Sequence, residues 1–434
     1  LKYRTVEVYA FIRRHFGQDT DIMLSSEYQQ TLREQTINEG GPGSVLRDFG
    51  TLLDFVGKRE IKVSGVHQML PMSALADLNA QLSKPLRILL RRPQQKSYPH
   101  INGLYLLLRA SGLSLIEVKG KHPLLTLDGE ALASWRGLNP TERYFTLLEA
   151  WLLRGVGEII GDERDPLGPL FKCSTFMEGL PNVGLKVAGD RQAEQITIPY
   201  HVGTYNLALL ELFGCVSVVE GRPEAGKGRA VACVRRTPFG EVLFKLLSRH
   251  RLATMRFELS EDELEEAATF GALQPLLQPF FPKWRRNLEV PQAALVKGLY
   301  VFKVSLGAKV WRRIAIPAAL SLDDLSYAIL RAYDFDNDHL YQFSYRDRFG
   351  KTVQVKHPYM EEPPSTDEVA IGELPLRPGA SMEYLFDFGD EWRFDVKLER
   401  IDPADGRIKK PKLLEERGEA PPQYPNMEED EEDW

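Results

Sequence analysis

The sequence predicts a multidomain chain: a mainly helical amino-terminal half containing a repeated unit, followed by an α+β domain. Three observations carry that expectation. A length of 434 residues exceeds what one hydrophobic core usually holds. A pattern of helix, strand, hairpin, strand and helix occurs twice, over 102–135 and again over 205–247. Beyond a proline-rich linker at 275–292, apolar residues alternate with polar ones, the period of half-buried strands.

The bulk numbers are those of an ordinary globular protein, with 43% apolar and 27% charged residues. Three cysteines, Cys173, Cys215 and Cys233, form no CxxC pair and no disulfide framework, so a reducing cytoplasm is the expected compartment. No run of apolar residues is long enough to cross a membrane, and no basic-then-apolar leader follows Leu1. The net charge of −6 is concentrated: "MEEDEEDW" carries six acids and no base, leaving the rest of the chain neutral. Such a run repels itself and reads as a solvated acidic tail, 426–434, with an acidic docking peptide or nucleic-acid mimic as the alternative.

Taken in order, residues 1–42 form an amino-terminal helical segment, in which Val6, Tyr9, Ile12 and Phe16 recur at helical spacing. "NEGGPGS" then breaks the chain. Ser44 stands where it can cap a helix carrying Val45, Leu46, Phe49, Leu52, Leu53 and Phe55. A second helix over about 72–82 leads into the basic connection "RILLRRPQQKSYPH". In the two repeats "SGLSLIE" matches "FGCVSVVE", and "TLDGEAL" matches "TPFGEVL". Thr126 and Thr237 are the expected caps of the helices that follow, with Glu130 and Glu241 complementing the helix starts.

This order resembles the winged-helix module of many bacterial regulators. The resemblance implies two tandem units, 43–138 and 139–274, the second opened by the helix of "NPTERYFTLLEAWLLRGVGEII" with Asn139 as its cap. After the linker, 293–425 reads as β-β-α-β-β-β-β, with Ser321 and Asp324 forming a capping box on its helix.

Several segments resemble sites without completing them. "GRPEAGKG" (221–228) has the spacing of a phosphate loop, but Gly228 stands where Ser or Thr would hold magnesium and a strand follows instead of a helix. It reads as a hairpin tip. "DFDNDHLYQFSY" (334–345) begins like a calcium loop, yet His339 and Tyr345 occupy the glycine and glutamate positions. It reads as a helix-to-strand turn. In "YLFDFGDEWRFDVKLE" (384–399), Gly389 is expected to supply positive φ and Asp390 a local side-chain bond, making a hairpin. His339, Asp387 and Asp390 are the candidate catalytic residues if this corner is instead a metal or acid–base site. No cofactor is expected, and a divalent metal there is the alternative.

For nucleic acid, the third helix of a winged helix reads the groove and the wing touches the backbone. The third helices here, about 101–111 and 203–213, offer only Arg109 and Glu211 as charges. The cations lie around them, and Arg91, Arg92, Lys96, Arg222, Lys227 and Arg229 are the candidate phosphate contacts. His100 and His201, just before these helices, read as capping or exposed residues.

Residues from "YVFKVSLGAKVWRRIAIPAALSLDDLSYAILRAYDFDNDHLYQF" through "YLFDFGDEWRFDVKLERI" to "RGEAPPQYP", about 299–427, resemble the plasmid pRiA4b ORF-3-like family, whose members are also labelled as passenger proteins of insertion elements. Trp311, Arg312, Asp324, Leu325, His339, Leu340, Phe343, Tyr384, Asp387, Gly389, Asp390 and Trp392 stand at the family's marked positions. Ser326 and Phe394 stand where the family often has histidine. The resemblance implies an α+β domain associated with plasmids or mobile elements, and brings no reaction. The expectation is therefore a binding protein that engages duplex DNA backbone or a protein partner. A metal-dependent enzyme and a purely protein-binding scaffold are the rivals.

Overall fold

A computed structural model describes residues 24–119, 122–162, 168–254, 269–291 and 296–424. The helix expected over Val6–Phe16 and the acidic run 426–434 lie outside the described residues. The chain is helix-rich in its first part and α+β in its last, with one hydrophobic cluster spanning Leu24–Leu288 and another Tyr300–Leu398.

The helical part opens with α1 (Ser26–Glu34), α2 (Val45–Gly57), β1 (Ile61–Lys62), α3 (Met72–Gln81) and α4 (Pro99–Ala110). The hairpin β2 (Ser114–Lys119) and β3 (His122–Leu127) then leads to α5 (Gly129–Gly137). α6 (Pro140–Glu149) runs on as a π-helical turn, Ala150–Arg154. The order then recurs: α7 (Gly168–Gly179), β4 (Leu185–Lys186), a π-helix (Ala193–Val202), α8 (Thr204–Leu212), β5 (Val216–Glu220), β6 (Val231–Arg236) and α9 (Pro238–Thr254). Each unit closes a small antiparallel sheet in the same way, β1-β3-β2 and β4-β6-β5.

The centre of this part is the contact between α4 and α8. Every residue of α4 is buried, and so is every residue of α8 from Tyr205 to Leu210. Around them the Trp151 indole stacks on Phe213 and donates to Asn206 Oδ1 at 2.8 Å, while the Tyr144 hydroxyl donates to Phe213 O at 2.7 Å. Both polar groups are thereby satisfied in a dry interior.

Local chemistry sets the helix starts. Asn139 and Glu142 form the capping box of α6, and Thr237 Oγ1 accepts from Gly240 N–H at the start of α9. Thr126 is not the cap expected for α5. The chain stays in β3 until Leu127, and Asp128 accepts from Glu130 and Ala131 N–H instead. Ser44 precedes α2 as expected, but its hydroxyl donates to Asp48 Oδ2 and makes no bond to a backbone N–H.

A short helix, α10 (Gln274–Leu277), precedes the α+β part, which contains β7 (Leu299–Leu306), β8 (Val310–Pro317), α11 (Leu322–Tyr333), β9 (Tyr341–Arg346), β10 (Thr352–Lys356), β11 (Ser381–Phe386), β12 (Trp392–Asp402) and β13 (Lys412–Arg417). The seven strands form one antiparallel sheet in the order β10-β9-β11-β12-β7-β8-β13. β13 was not expected. "KLLEER" has no two-residue alternation because all six residues are exposed on an edge strand, with nothing to bury on either face.

The two parts meet through the β9–β10 turn. Arg348 donates to Asp128 Oδ2 (2.8 Å), Gly112 O (3.0 Å) and Pro291 O (2.5 Å), and so clamps the base of the β2–β3 hairpin. Phe349 fills the space beside Gly112 and lies 4.3 Å beneath the Arg154 guanidinium. Arg377 pairs with Glu117 at 2.9 Å on the flank of the same hairpin, and Gly379 packs against Val118. Among the described residues no helix is long and apolar enough to cross a membrane.

Candidate functional site

The basic segments singled out by sequence come together in part. Arg91 and Arg92 are exposed on the connection between α3 and α4, and Arg222 and Lys227 are exposed on the loop between β5 and β6. These stretches lie 130 residues apart in the chain, yet Gly226 N–H donates to Leu89 O at 3.1 Å and ties the hairpin tip to the connection. The result is a ledge that also carries exposed Arg87. Lys227 has a partner, Glu224, at 2.8 Å, but both side chains are well exposed, so the pair weakly restrains its charge.

One candidate is corrected. Arg229 is not available to a phosphate: its side chain is 5% exposed and its Nη2 lies 2.5 Å from both Glu211 and Glu220. Lys96 is exposed but donates to Gly161 O. The Arg229 cluster also holds Lys84, 2.6 Å from Glu211, and His100, whose Nε2 lies 3.0 Å from the same carboxylate. His100 is thus neither a cap nor exposed; it is buried inside α4. Burial alone would raise the Glu211 pKa, but the His100, Arg229 and Lys84 contacts hold it down at about 2. Arg109 and Glu211, the charges of the expected third helices, both face inward, Arg109 donating to Gln68 Oε1 at 2.9 Å.

A second constellation forms at one end of the large sheet. The turn between β11 and β12 spans 387–391, and its left-handed residues are Asp387 (φ 57°) and Glu391 (φ 52°), not Gly389. Asp387 can adopt this conformation because its own Oδ1 accepts from Gly389 N–H (2.8 Å) and Asp390 N–H (3.4 Å), the self-bonding that favours Asp in turns. That bond had been expected of Asp390, whose side chain is exposed. The Asp387 side chain faces His339. It is nearly buried, and its Oδ2 lies 3.4 Å from His339 Nε2.

Asp338, next to His339 in the chain, and Tyr424, from a distant segment, complete the corner. Tyr424 OH donates to Asp338 Oδ2 at 2.6 Å and stands 3.1 Å from His339 Nε2. A tyrosine has one hydroxyl proton, and here Asp338 takes it, so toward His339 the oxygen accepts and Nε2 carries hydrogen. Neutral His339 then presents Nδ1 as its proton-accepting nitrogen. The hydrogen bond to Asp338 pushes the Tyr424 hydroxyl up to about 12 and lowers the Asp338 carboxyl. Gln423 fastens the segment, accepting from Asp336 N–H at 2.6 Å and donating to Tyr424 OH at 2.9 Å. Among the described residues no group of three or more His, Cys, Asp or Glu is arranged to hold a metal ion. The reason is visible at His339, whose Nε2 faces the carboxylates directly instead of converging with them on a common centre.

The remaining motif residues build the frame. Arg312 donates to Ala332 O, Arg417 O and Gly418 O and lies over the Tyr333 ring, joining α11 to β13. Asp324 completes the α11 capping box, Trp392 packs on Phe335 at 4.9 Å, and Trp311 receives Lys303 on its face at 4.8 Å. Tyr384 is buried with its hydroxyl 2.7 Å from Ser326 Oγ, and its ring centroid lies 5.6 Å from that of Phe394. Both positions where the resembled family often carries histidine therefore adjoin this one tyrosine.

The fold and the corner at His339 define an α+β unit of a recognisable class. Residues 299–424 match the family model "Plasmid pRiA4b ORF-3-like protein". The protein "Uncharacterized protein y4hQ" of Sinorhizobium fredii is 35% identical over 116 residues, 26% of this chain and 58% of that protein. The chain thus spans rather more than half the length of the curated relative it matches. Among solved structures, a protein of unknown function, MM3350, from Methanosarcina mazei Go1 is 25% identical, with 29% of this chain and 73% of that chain covered and a TM-score of 0.27.

Proposed function

We propose that this is a plasmid-associated binding protein that engages the phosphate backbone of duplex DNA without reading its sequence. The observation that carries the reading is the ledge of Arg91, Arg92, Arg222 and Lys227, assembled from two distant segments by the Gly226–Leu89 bond. The repeated element order and the identical sheet orders support tandem winged-helix units, 43–138 and 139–274. Their third helices, α4 and α8, are buried against each other, so neither enters a major groove. Contact is left to the exposed β5–β6 hairpin and the α3–α4 connection. Such contacts position a protein on DNA and carry no base information.

The test is fluorescence anisotropy with several unrelated duplexes at rising salt. Similar affinities are expected for all of them, with a log–log salt slope near −3 for three or four phosphate contacts. The triple reversal Arg91→Glu, Arg92→Glu and Arg222→Glu is expected to weaken binding by at least about tenfold at low salt. No low-salt binding, or binding indifferent to the reversal, refutes the reading.

A second reading attaches to His339. Asp387 and Tyr424 hold its Nε2, leaving Nδ1 for proton transfer or a divalent metal. Asp390 would contribute only its backbone N–H. Saturable zinc or manganese binding that disappears in His339→Ala supports the metal form. A flat titration removes it.

A further inference from the structure

We infer that the outer face of the sheet β4-β6-β5, carrying Lys186 and Arg235, is a second row of phosphate contacts, by which the protein grips both strands of a duplex across one groove. This rests on the reading of the ledge as a phosphate-binding surface and names the form of nucleic acid that fits it. Strand pairing fixes which residues share the face. Val219 stands opposite Cys233, Cys233 opposite Lys186, and Ser217 opposite Arg235. Partners directly across a sheet project to the same side. This side is the open one: Lys186, Ser217, Val219 and Arg235 are exposed, whereas Val218 and Val234 are buried. A β-carbon on Gly184, just before β4, would stand 2.6 Å from Arg235 Cγ, so the glycine leaves room for that stem.

The ledge lies beside β5, an edge strand of this sheet. Lys84 donates to Val218 O at 3.1 Å and Leu89 O accepts from Gly226 N–H, so the α3–α4 connection meets the sheet at β5 and its hairpin tip. Strands repeat at about 4.8 Å, which puts Arg235 and Lys186 roughly 5 and 10 Å beyond β5. Cations of the connection and cations of β6 and β4 thus flank β5, whose outward residues Ser217 and Val219 carry no charge. That spread is on the scale of a DNA groove, about 6 Å wide on the minor side and 12 Å on the major.

Acids border this face without cancelling it. Glu211 and Glu220 pair with Arg229 and Lys84. Glu224 pairs with Lys227, and Glu194, near enough to act on the same ammonium, accepts from Gly189 N–H. Asp190 accepts from Gln192 and Ala193 N–H. Arg91, Arg92, Arg222, Lys186 and Arg235 have no ion-pair partner among the described residues.

Fluorescence anisotropy near 0.1 M salt, where exposed charges are screened beyond about 10 Å, compares a duplex with its separate strands. Three proteins are needed: the native chain, Lys186→Glu with Arg235→Glu, and the ledge reversal Arg91→Glu, Arg92→Glu and Arg222→Glu. The native chain should bind the duplex more tightly than either strand. The slope near −3 counts the ledge alone, and two further contacts should steepen it to about −5. The Lys186 and Arg235 reversal should return the slope to about −3, with at least about a tenfold loss for duplex and less than about threefold for single strands. A measurement on the native chain needs no variant: duplex should slow alkylation of Cys233, which lies beside Lys186 and Arg235 on the open face, and single strands should not. A native slope near −3, an equal loss on duplex and single strands, or alkylation of Cys233 indifferent to duplex overturns the inference. If the ledge reversal still weakens duplex binding in those cases, the ledge reading stands and only the second row falls. A ledge reversal without effect sinks the DNA reading itself.

Discussion

Gly103 in α4 lies so close to Leu209 in α8 that a β-carbon on it would stand 2.8 Å from the leucine Cγ. The two helices touch at a point where only hydrogen fits, and leucines crowd the contact on both. Gly103→Leu is therefore expected to destabilise the protein by roughly 2–3 kcal/mol, despite the better helix propensity of leucine. Denaturant unfolding measures it. Adding Leu209→Ala should recover part of the loss, because the residues share one space.

The buried Glu211 gives stability that depends on acid. Its folded pKa is about 2 against an ordinary 4.5, so the contribution is fully present above pH 4.5 and is lost as pH falls toward 2. The loss is on the order of 3 kcal/mol. Glu211→Gln should flatten that limb of the stability profile, read as melting temperature against pH.

Glu149 has the opposite sign. Burial raises its pKa to about 7, against the N–H groups of Leu273 and Gly271 and the charge of Arg154. Between pH 4.5 and 7 the folded state keeps a proton that the unfolded state has lost, so stability falls as pH rises through that window. Glu149→Gln should remove this fall while leaving the acid limb set by Glu211 unchanged. The same melting series checks both.

Arg348→Ala should loosen the junction between the helical and α+β parts. It leaves Asp128 without its cation and two carbonyls without donors, in surroundings where the paired side chains are 16% and 12% exposed. A cost of about 2–4 kcal/mol is expected. Calorimetry should resolve two transitions where the native protein shows fewer, and hydrogen exchange should rise along 112–128.

Glu391 holds φ 52° with an exposed side chain, so Glu391→Gly relieves left-handed strain at little loss of contact. A gain of up to about 1 kcal/mol is expected, reduced by the entropy of glycine in the unfolded chain. Asp387→Gly should do the reverse, since the self-bonds to 389 and 390 and the contact with His339 disappear together.

Much of the fold was legible because it rests on local rules. Two-residue alternation marked strands of the α+β part, and Ser321 with Asp324 and Asn139 as a cap marked helix starts that the structure uses. β13 escaped because an exposed edge has no buried face to write a pattern. The corner at His339 was half legible. His339 and Asp387 were named and Asp338 adjoins His339 in the sequence, but Gln423 and Tyr424 complete the corner through tertiary packing that no spacing encodes. Arg229 misled for the same reason: a cation in a hairpin loop looks solvated until Glu211 and Glu220, from α8 and β5, are placed around it.

The mutual burial of α4 and α8 has an evolutionary corollary. Two repeated units that each bury a helix against the other cannot be exchanged, lost or acquired singly. Recombination between residues 139 and 168 would leave a naked greasy rod on either product, so natural variation in this protein should preserve the doublet intact and change it only by matched steps on the two facing helices.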